Sequence, residues 1–389
     1  MSRQLAMSNL TYVTYQTFPA NTANSMQSIA MIKNFVRNGC DVKLVFPNRS
    51  KKSSKNLKEL QNHYSFKESI CVEVLDHNLP FKDFEGKTYF KKARFNISHF
   101  LWSRNATKYV IKNARKNEKY FTRSDWIFYF LAKKGKNVIF ECHQLSKIRK
   151  FVIKRVQTKT NAKIIFTNKL LYQDVKISES FSNNIKVVEN GYDEDFFKQD
   201  PVKKKESAIF VGNLLRFNKD RNINFLIQAF KDPRLNGYEL LIIGGPEFRK
   251  VELENKIISK GIKNIKILGE LDRFNSIKHI LYSKVGILIN SEDNVHSTRH
   301  TSPLKYYEYL KGNLKVVASD FPSHRSLSFS EYIYFFDNSD LESFINSIKE
   351  AFNDNKVNNF VLEELSLYSR AKKILNFFAR LEGFEPPTL

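Results

Sequence analysis

Short apolar runs alternate with helical segments along nearly the whole chain, and this alternation restricts the fold more than any other feature of the sequence. A β-branched and aromatic run over 10–15 precedes helical spacing of apolar residues over 25–38, and a second apolar run follows over 41–47. A strand, a helix and a strand joined by short loops form a βαβ unit with parallel strands. The same reasoning predicts further strands over 119–122, 137–141, 162–167, 185–189, 208–212, 238–244, 265–268, 285–290 and 315–319.

The βα pattern stops at the polar segment 195–207, which contains Pro201, and restarts after it. A chain of 389 residues is also long enough for two domains of ordinary size. The sequence therefore predicts an α/β protein with two tandem doubly wound, Rossmann-like domains that face each other across a cleft. A ligand is expected in that cleft, outside the carboxyl ends of the strands. The predicted parts are a first domain over 1–195, a second over 205–359, a helical segment over 360–380 that packs back on the first domain, and a disordered tail over 381–389.

Positive charge is concentrated in the first half of the chain. Residues 1–200 contain 36 Lys and Arg against 17 Asp and Glu, a net charge of +19, whereas residues 201–389 contain 28 and 23, a net charge of +5. Such a field favours an anionic partner, which can be a nucleic acid, an acidic membrane surface or a phosphorylated substrate. A lysine-rich composition without a functional purpose is the alternative.

The cysteines are Cys40, Cys71 and Cys142, and none of them forms a CxxC pair, which favours a reducing compartment and argues against a disulfide framework or a zinc site. No apolar run approaches the roughly 20 residues that a membrane span needs, and the first residues lack the apolar core of a signal peptide. We therefore expect a cytoplasmic protein that rests on the inner face of the cell membrane as a peripheral protein.

The most specific segment is TSPLKYYEYL over 301–310, which precedes Lys-Gly and a strand. Ser302 is a favourable N-cap and Pro303 suits a first helical turn, so the pattern predicts a helix that begins here. The amides of a first turn and the helix dipole form an anion site suited to a diphosphate, and Lys305 adds a charge. Glu308, one turn later, is placed to accept hydrogen bonds from a ribose diol. From this pattern alone, an ordinary surface helix with a solvated Glu308 is the alternative.

The segment SPLKYYEYL, with KGN and LKVVASDFP after it, resembles the donor-binding helix of the GT-B glycosyltransferases of glycosyltransferase family 4. The resemblance extends over residues 10–355 through YVTYQTFP, YFTRSD, IFECHQLS, VVENGYDEDFF, VGNLLRFNKDRNINFLIQAF and IIGGPE, and it depends on their order and spacing. It implies a retaining hexosyltransferase that moves a sugar from a nucleoside-diphosphate sugar to a glycan or lipid-linked acceptor in cell-surface polysaccharide synthesis. It implies no metal and no other cofactor.

The resemblance gives each matched position in the second domain a role. Glu308 matches the second, ribose-binding glutamate of the family's spaced pair, and His300 stands at the position of the first glutamate, which lies near the donor sugar. Gly212 matches the start of an element that places two cations on the diphosphate; here Asn213 replaces the first cation and Arg221 fills the place of the second. Arg216, close by, is a substitute for the missing cation. The loop and helix start around the diphosphate match Thr301, Ser302, Pro303, Leu304 and Lys305, and the backbone expected to contact the base lies at Gly269, Glu270 and Leu271.

In the first domain, His143 follows a predicted strand and resembles the family's histidine near the donor sugar and the reacting centre. A neutral histidine there can form a hydrogen bond with a sugar hydroxyl or move a proton; a structural core histidine is the alternative. A Cys142–His143 nucleophile pair is excluded because adjacent strand residues point to opposite faces. Asn21 and Asn24 occupy the acceptor-side loop that usually contains two glycines, and asparagine tolerates left-handed backbone. Catalytic roles are thus predicted for His143, Arg221 and Lys305.

A basic surface for an anionic lipid or a lipid-pyrophosphate acceptor is also predicted in the first domain. Nucleic-acid binding is the competing function of that surface, although no recognised nucleic-acid motif supports it. A nucleotide-sugar epimerase or an inactive paralogue of the same fold stays open because His300 and Asn213 depart from the family pattern. The residues proposed for the basic surface are Lys51, Lys52, Lys91, Lys92, Arg94, Lys147, Arg149 and Lys150.

Overall fold

A computed structural model of the chain describes residues 8–49, 53–77, 79, 89–177, 179–198, 203–216, 219–356 and 362–379. The chain divides into two compact units. The N-terminal unit takes in the chain up to Thr167, Leu171–Val188 and the segment from Leu367, and the C-terminal unit takes in Asn168–Leu170 and Glu189–Ser366. Part of the predicted linker, including Pro201, and the predicted tail over 381–389 lie outside the described residues.

The N-terminal unit is built on a seven-stranded parallel sheet with the strand order β3-β2-β1-β4-β5-β6-β7. The strands are β1 (Ser8–Val13), β2 (Cys40–Pro47), β3 (Cys71–Leu75), β4 (Lys119–Thr122), β5 (Val138–Cys142), β6 (Ala162–Phe166) and β7 (Ile185–Val187). The helices are α1 (Ala23–Arg37), α2 (Leu57–Tyr64), α3 (Tyr89–Lys112), α4 (Asp125–Lys133) and α5 (Lys147–Val156); α6 (Lys169–Gln173) has its first two residues in the C-terminal unit and the rest in this one.

The C-terminal unit repeats this plan with a six-stranded parallel sheet in the order β12-β11-β8-β13-β14-β15 and a separate antiparallel hairpin, β9–β10. The strands are β8 (Lys205–Val211), β9 (Leu215–Arg216), β10 (Lys219–Asp220), β11 (Glu239–Ile243), β12 (Ile265–Gly269), β13 (Ser283–Leu288), β14 (Lys315–Ser319) and β15 (Ile333–Phe336). The helices are α7 (Ile223–Ala229), α8 (Glu247–Ser259), α9 (Arg273–Tyr282), α10 (Leu304–Lys311), α11 (Pro322–Arg325) and α12 (Leu341–Asn353).

The last helix, α13 (Leu367–Ala379), belongs to the N-terminal unit and packs against α1. Successive side chains of a strand point to opposite faces of a sheet. Leu10 and Tyr12 of β1 therefore face the core under α1, α2 and α13, whereas Val13 faces the core under α3, α4 and α5. Both faces of this sheet are covered, as the near-continuous apolar strands predict.

The sheet of the C-terminal unit is covered on both faces in the same way. Ala208 and Phe210 of β8 contribute to a core with α7, α8 and α12, and Ile209 and Val211 contribute to a core with α9 and α10. The predicted α/β class with two doubly wound, Rossmann-like domains is confirmed, since each unit has helices on both faces of a parallel sheet.

Element boundaries differ from the predictions mainly at helix starts and sheet edges. Helix α1 begins at Ala23, two residues earlier than predicted, because the side chain of Thr22 accepts a hydrogen bond from the amide of Ser25 and caps the helix. The edge strands β3 and β15 were not among the predicted strands. In the part of the chain that the structure describes, no helix has both the length and the apolar character needed to cross a bilayer.

Candidate functional site

The order of the strands in the C-terminal sheet reverses between β8 and β13, and this is where ligands bind in open parallel sheets. Arg221 lies at that point. Its Nη1 donates to the carbonyl oxygen of Asn213 (3.3 Å), just after β8, and its Nη2 donates to the carbonyl oxygen of Ile289 (3.4 Å), just after β13. The guanidinium also lies over the ring of Phe210, 5.4 Å from its centroid. Arg221 is thus held at the carboxyl edge of the sheet.

Three neighbouring strands reach this edge at glycines, which bring their backbones close together. The amide of Gly212 donates to the carbonyl oxygen of Ile243 (2.9 Å), and the amide of Gly244 donates to that of Gly269 (2.8 Å). A Cβ on Gly212 would lie 2.7 Å from Nη1 of Arg221. Gly244 has a φ of +154°, and a Cβ there would lie 1.8 Å from the carbonyl oxygen of Gly212. Side chains at these positions would displace Arg221 or the strand ends.

Glu308, on α10, is buried between two cations. Its Oε2 lies 2.8 Å from Nζ of Lys305, one turn earlier on the same helix, and its Oε1 lies 2.5 Å from Nη2 of Arg273, at the start of α9. The side chain of Glu308 is 1% exposed, whereas those of Lys305 and Arg273 are 22% and 27% exposed. Glu308 is therefore not a solvated surface residue, and the ordinary surface helix considered from the sequence is wrong on this point.

Electrostatics keep Glu308 ionised. Burial raises the pKa of the Glu308 carboxyl, but the charges of Arg273 and Lys305 outweigh burial and hold that pKa below its usual value. Burial lowers the pKa of the Lys305 ammonium, and Glu308 only partly opposes this effect. An anionic ligand beside Lys305 would favour its charged form.

Helix α10 begins later than predicted. Pro303, not Ser302, occupies the N-cap position with extended backbone (φ −74°, ψ 120°), and the first helical residue is Leu304. The preceding backbone is held by two asparagine side chains: Asn168 Nδ2 donates to the carbonyl oxygen of Thr301 (3.2 Å) and Asn190 Nδ2 donates to that of Ser302 (2.7 Å). These contacts hold Thr301 and Ser302 outside the helix and leave its first-turn amides at Leu304 and Lys305.

Tyr309 connects α10 to the strand that ends at Gly212. Its buried hydroxyl accepts a hydrogen bond from the amide of Val211 (3.2 Å). Its ring packs on Gly286 of β13, where a Cβ would lie 2.3 Å from Cδ2 of Tyr309. The structure therefore fixes α10, with Lys305 and Glu308, against the same two strands between which Arg221 lies.

The other residues predicted in this unit surround the same sheet edge. His300 is 7% exposed and ends a π-helical turn, His296–His300, directly before Thr301. Gly269 has a φ of +73° and ends β12; its carbonyl oxygen accepts from the amide of Gly244, and Glu270 and Leu271 follow it at the same sheet edge. Arg216 ends β9, and its side chain lies outside the described residues.

In the N-terminal unit, His143 lies just beyond the carboxyl end of β5 and is hydrogen-bonded through Nε2 to Glu141. Glu141 is 1% exposed and pairs with Nη1 of Arg370 on α13 (2.9 Å) and, at 3.8 Å, with Nε of Arg123. Burial, followed by the charge of Arg123, lowers the pKa of His143 to about 3, although Glu141 opposes the shift. The imidazole is therefore neutral at physiological pH. Cys142 points the other way into the core, as predicted.

The acceptor-side loop differs from the prediction. Both Asn21 and Asn24 are exposed, but neither has left-handed backbone, and Asn24 lies in the first turn of α1 rather than in a loop. The reason is the cap provided by Thr22. The carbonyl oxygen of Asn24 accepts from Nη1 of Arg123 (3.3 Å), so this turn and His143 belong to one network of hydrogen bonds and ion pairs.

A basic and apolar face, which we define as the exposed side of α3, α4 and α5, covers one side of the N-terminal sheet. Helix α4 packs between α3 and α5, and neither α3 nor α5 contains an acidic residue. Ile97, Leu101 and Phe151 are 55%, 41% and 46% exposed on this face. Its exposed basic residues are Arg94, Arg104, Lys108, Lys112, Lys133, Lys147, Lys150, Lys154 and Arg155.

The residues that form the basic surface therefore differ from those predicted. Arg149 pairs with Asp125 (Nε to Oδ2, 3.4 Å) and donates to the carbonyl oxygen of Gln144 (2.9 Å), so its charge has a partner within the unit. Lys51 and Lys52 lie outside the described residues, as do the side chains of Lys91 and Lys92.

Several of these site residues were not found from the sequence. Arg273, Arg123 and Arg370 reach their carboxylates over long sequence separations, so no local pattern marks them. Glu141 could have been found, because residues two apart on a strand share a face and Glu141 precedes His143 by two. Among the described residues, no cluster of three or more His, Cys, Asp or Glu is arranged to hold a metal ion.

Residues 192–364, nearly all of the C-terminal unit, match the family described as glycosyl transferases group 1. No curated protein matches the chain significantly. Sucrose-phosphate synthase from Thermosynechococcus elongatus superimposes with a TM-score of 0.68 at 12% identity, covering 97% of this chain and 99% of that one. A glycosyltransferase from Rickettsia africae gives 0.65 at 13% identity (98% and 100% covered). The catalytic domain of starch synthase IV from Arabidopsis thaliana gives 0.65 at 12% identity (97% and 100% covered).

Each of these two units has the Rossmann-like plan expected of the GT-B fold, and the structural neighbours of the whole chain are GT-B glycosyltransferases. The family match lies on the unit that contains Arg221, Lys305 and Glu308. The C-terminal unit is therefore similar to glycosyl transferases group 1, and the whole chain has the fold expected of a GT-B glycosyltransferase.

Proposed function

We propose that this protein transfers a hexose from a nucleoside-diphosphate sugar to a hydroxyl of a glycan or lipid-linked acceptor, with retention of configuration and without a metal. The observation that supports this proposal most directly is the ion-paired Glu308 on a helix fixed against the switch point that contains Arg221. A buried carboxylate with two hydrogen-bonding oxygens suits the vicinal hydroxyls of a ribose. A ribose that binds there would replace part of the contact between Glu308 and Arg273.

The positive charge for the diphosphate would come from side chains. Arg221 and Lys305 are attached to elements that pack on the same two strands, β8 and β13. Fixed cations that face the leaving diphosphate stabilise the charge that develops on it as the glycosidic bond breaks. In this scheme the diphosphate oxygen on the same face accepts the proton of the acceptor hydroxyl, so no side-chain base is required.

Donor binding is the first test. The melting temperature would be measured with UDP-, GDP-, ADP- and CMP-sugars, because a ligand that binds only the folded state stabilises it by RT ln(1 + [L]/Kd). We expect one nucleotide class to raise the melting temperature, and Arg221→Ala to abolish that rise. Arg234→Ala is the matched control, since Arg234 is in the same unit but forms a surface ion pair with Glu342. A wild-type response in the Arg221 variant would contradict the assignment. Transfer that is abolished by EDTA and restored by Mg²⁺ would contradict the metal-free scheme.

We also propose that the basic and apolar face docks on an anionic membrane, where a lipid-linked acceptor would be found. Exposed Phe151 sits among Lys147, Lys150 and Lys154 on α5, with no acidic residue on that helix. Each basic side chain near an anionic leaflet contributes about 1 kcal/mol, so the loss of two would weaken binding roughly 30-fold.

The membrane proposal is tested by co-sedimentation with vesicles that contain phosphatidylglycerol, compared with vesicles of phosphatidylcholine alone. A Lys150→Glu/Lys154→Glu variant should lose binding, whereas Lys260→Glu/Lys263→Glu, at exposed positions of the C-terminal unit, should not. Binding that is indifferent to anionic lipid would refute the proposal. Salt-sensitive binding of single-stranded DNA that the α5 variant abolishes would instead favour the nucleic-acid function.

A further inference from the structure

The carboxylate of Glu141, which is hydrogen-bonded to His143, is the centre of a buried charged network. Glu141 and Arg370 are 1% and 2% exposed, and Glu141 receives hydrogen bonds from both Arg370 and His143. Arg370 is anchored on its other side, because Nη2 donates to the carbonyl oxygen of Val188 (3.3 Å). Arg123 lies on the third side of the carboxylate and is itself bonded to Ser28 of α1 (3.2 Å).

This network fixes the protonation of the imidazole. Burial raises the pKa of Glu141, but Arg370, His143 and Arg123 outweigh burial and keep the pKa well below its usual range. An ionised carboxylate accepts hydrogen bonds and cannot donate them, so Nε2 of His143 must carry the proton. With Arg123 and Arg370 opposite Glu141, the cluster already has a net charge of +1, and a second proton on His143 would raise it to +2 in a buried site. Nδ1 is therefore left with a lone pair.

Nδ1 is the atom of His143 that is free to meet a ligand. It forms no hydrogen bond with any part of the chain that the structure describes, and the His143 side chain is 21% exposed. His143 follows β5, at the carboxyl edge of the sheet, where ligands of parallel sheets bind.

We propose that Glu141 and Arg370 are positioning residues that hold His143 as the Nε2–H tautomer, so that Nδ1 accepts a hydrogen bond from a hydroxyl group of the sugar substrate. The choice of a hydroxyl as the partner rests on the proposed function; the tautomer rests on the buried contacts of Glu141 with Arg370, Arg123 and His143. A histidine oriented by a carboxylate behind it presents only an acceptor, so the site favours a ligand that donates at this point.

Glu141→Gln separates this role from a structural one. Arg370 donates to Oε2 at 2.9 Å and has no acceptor atom, whereas Arg123 lies 3.8 Å from Oε1, beyond hydrogen-bond distance. We therefore expect the amide oxygen of the introduced glutamine to face Arg370 and its amide nitrogen to face His143. The amide nitrogen would donate to Nε2, which moves the imidazole proton to Nδ1 and replaces the acceptor with a donor. We expect the fold to be retained and kcat to fall by at least roughly 100-fold, because imposing the wrong tautomer on a catalytic histidine is costly.

The tautomer is measured by nuclear magnetic resonance on ¹⁵N-histidine protein, with the His143 signals identified by their loss in His143→Gln. Wild type should show a protonated Nε2 and an unprotonated Nδ1, and Glu141→Gln should show the reverse. Arg370→Lys keeps a cation against Glu141 and should keep the wild-type tautomer and most of the activity.

Glu118→Gln is the matched control. Glu118 is 3% exposed and paired with Arg115 in the same unit, but it touches no histidine. It should lose stability without altering the His143 signals or kcat. Because the wild-type spectrum alone reports the tautomer, the proposal stays testable even if Glu141→Gln does not fold.

A protonated Nδ1 in wild type, or an active Glu141→Gln enzyme with reversed protonation, would overturn the proposal and leave the proposed function intact. If the wild-type enzyme transfers sugar from none of the donors, that result would count against the proposed function. The spectra would still decide the tautomer.

Discussion

Replacing Glu308 with glutamine would leave two cations, Arg273 and Lys305, facing each other across a neutral amide. Removing one partner from a buried ion pair costs about 3–5 kcal/mol, but both cations here reach solvent, with side chains 27% and 22% exposed, so we expect about 2–3 kcal/mol. For a unit of this size that cost lowers the melting temperature by roughly 4–12 °C. Urea unfolding followed by circular dichroism would measure it.

The pH dependence of this effect has a definite sign. Because the folded pKa of Glu308 is lowered, its stabilisation is present above the unfolded value of about 4.3 and is lost as the pH falls through the folded pKa. The difference in unfolding free energy between wild type and Glu308→Gln should therefore be constant from about pH 6 to 8 and shrink below about pH 4.

The same variant should bind the donor more weakly. A ribose diol needs two accepting oxygens, and a glutamine side chain has only one. Charge-assisted hydrogen bonds contribute about 1.5–3 kcal/mol each, so the loss of one should weaken donor binding roughly 10- to 100-fold. Asp354→Asn is the control. Asp354 pairs with Lys315 (2.7 Å; side chains 17% and 13% exposed) at the amino end of β14, away from the site. The control should be destabilised yet bind donor normally. Equal donor binding by the two variants would refute the role assigned to Glu308.

Further substitutions test the surrounding geometry. Gly244→Ala should destabilise the C-terminal unit by more than about 2 kcal/mol in urea unfolding, because its Cβ would collide with the carbonyl oxygen of Gly212; an unchanged midpoint would contradict the strand-end geometry. Tyr309→Phe leaves the amide of Val211 without its partner and should cost about 1–3 kcal/mol, with weaker donor binding if α10 shifts; calorimetry and the donor-shift assay would detect both. The pKa of His143, about 3, predicts a stability component that is present above the unfolded pKa of about 6.5 and is lost as the pH falls from there toward 3. His143→Gln should lack this component, and an equal loss of stability in the two proteins between about pH 7 and 4.5 would refute it.

Much of the fold followed from local pattern. The near-continuous apolar strands between amphipathic helices predicted both parallel sheets, and β4 and β14 begin and end where the pattern places them. The edge strand β3 was not predicted because its residues are only half-buried, so it lacks the continuous apolar character of the central strands. The predicted start of α10 was wrong because two asparagines from distant segments, Asn168 and Asn190, hold the backbone that precedes the helix.

The sequence by itself determined which residues could act as cations and carboxylates, and it determined the pairing of Lys305 with Glu308, because residues three apart share one face of a helix. Only the tertiary structure decided the remaining partners. Arg273 reaches Glu308 across 35 residues, and Arg370 reaches Glu141 across 229, through the packing of α9 against α10 and of α13 on the N-terminal unit. Helical and strand periodicities determine only which near neighbours in the sequence share a face. The burial of apolar faces determines which distant elements pack together. A buried carboxylate keeps its charge only where that packing brings a cation to it.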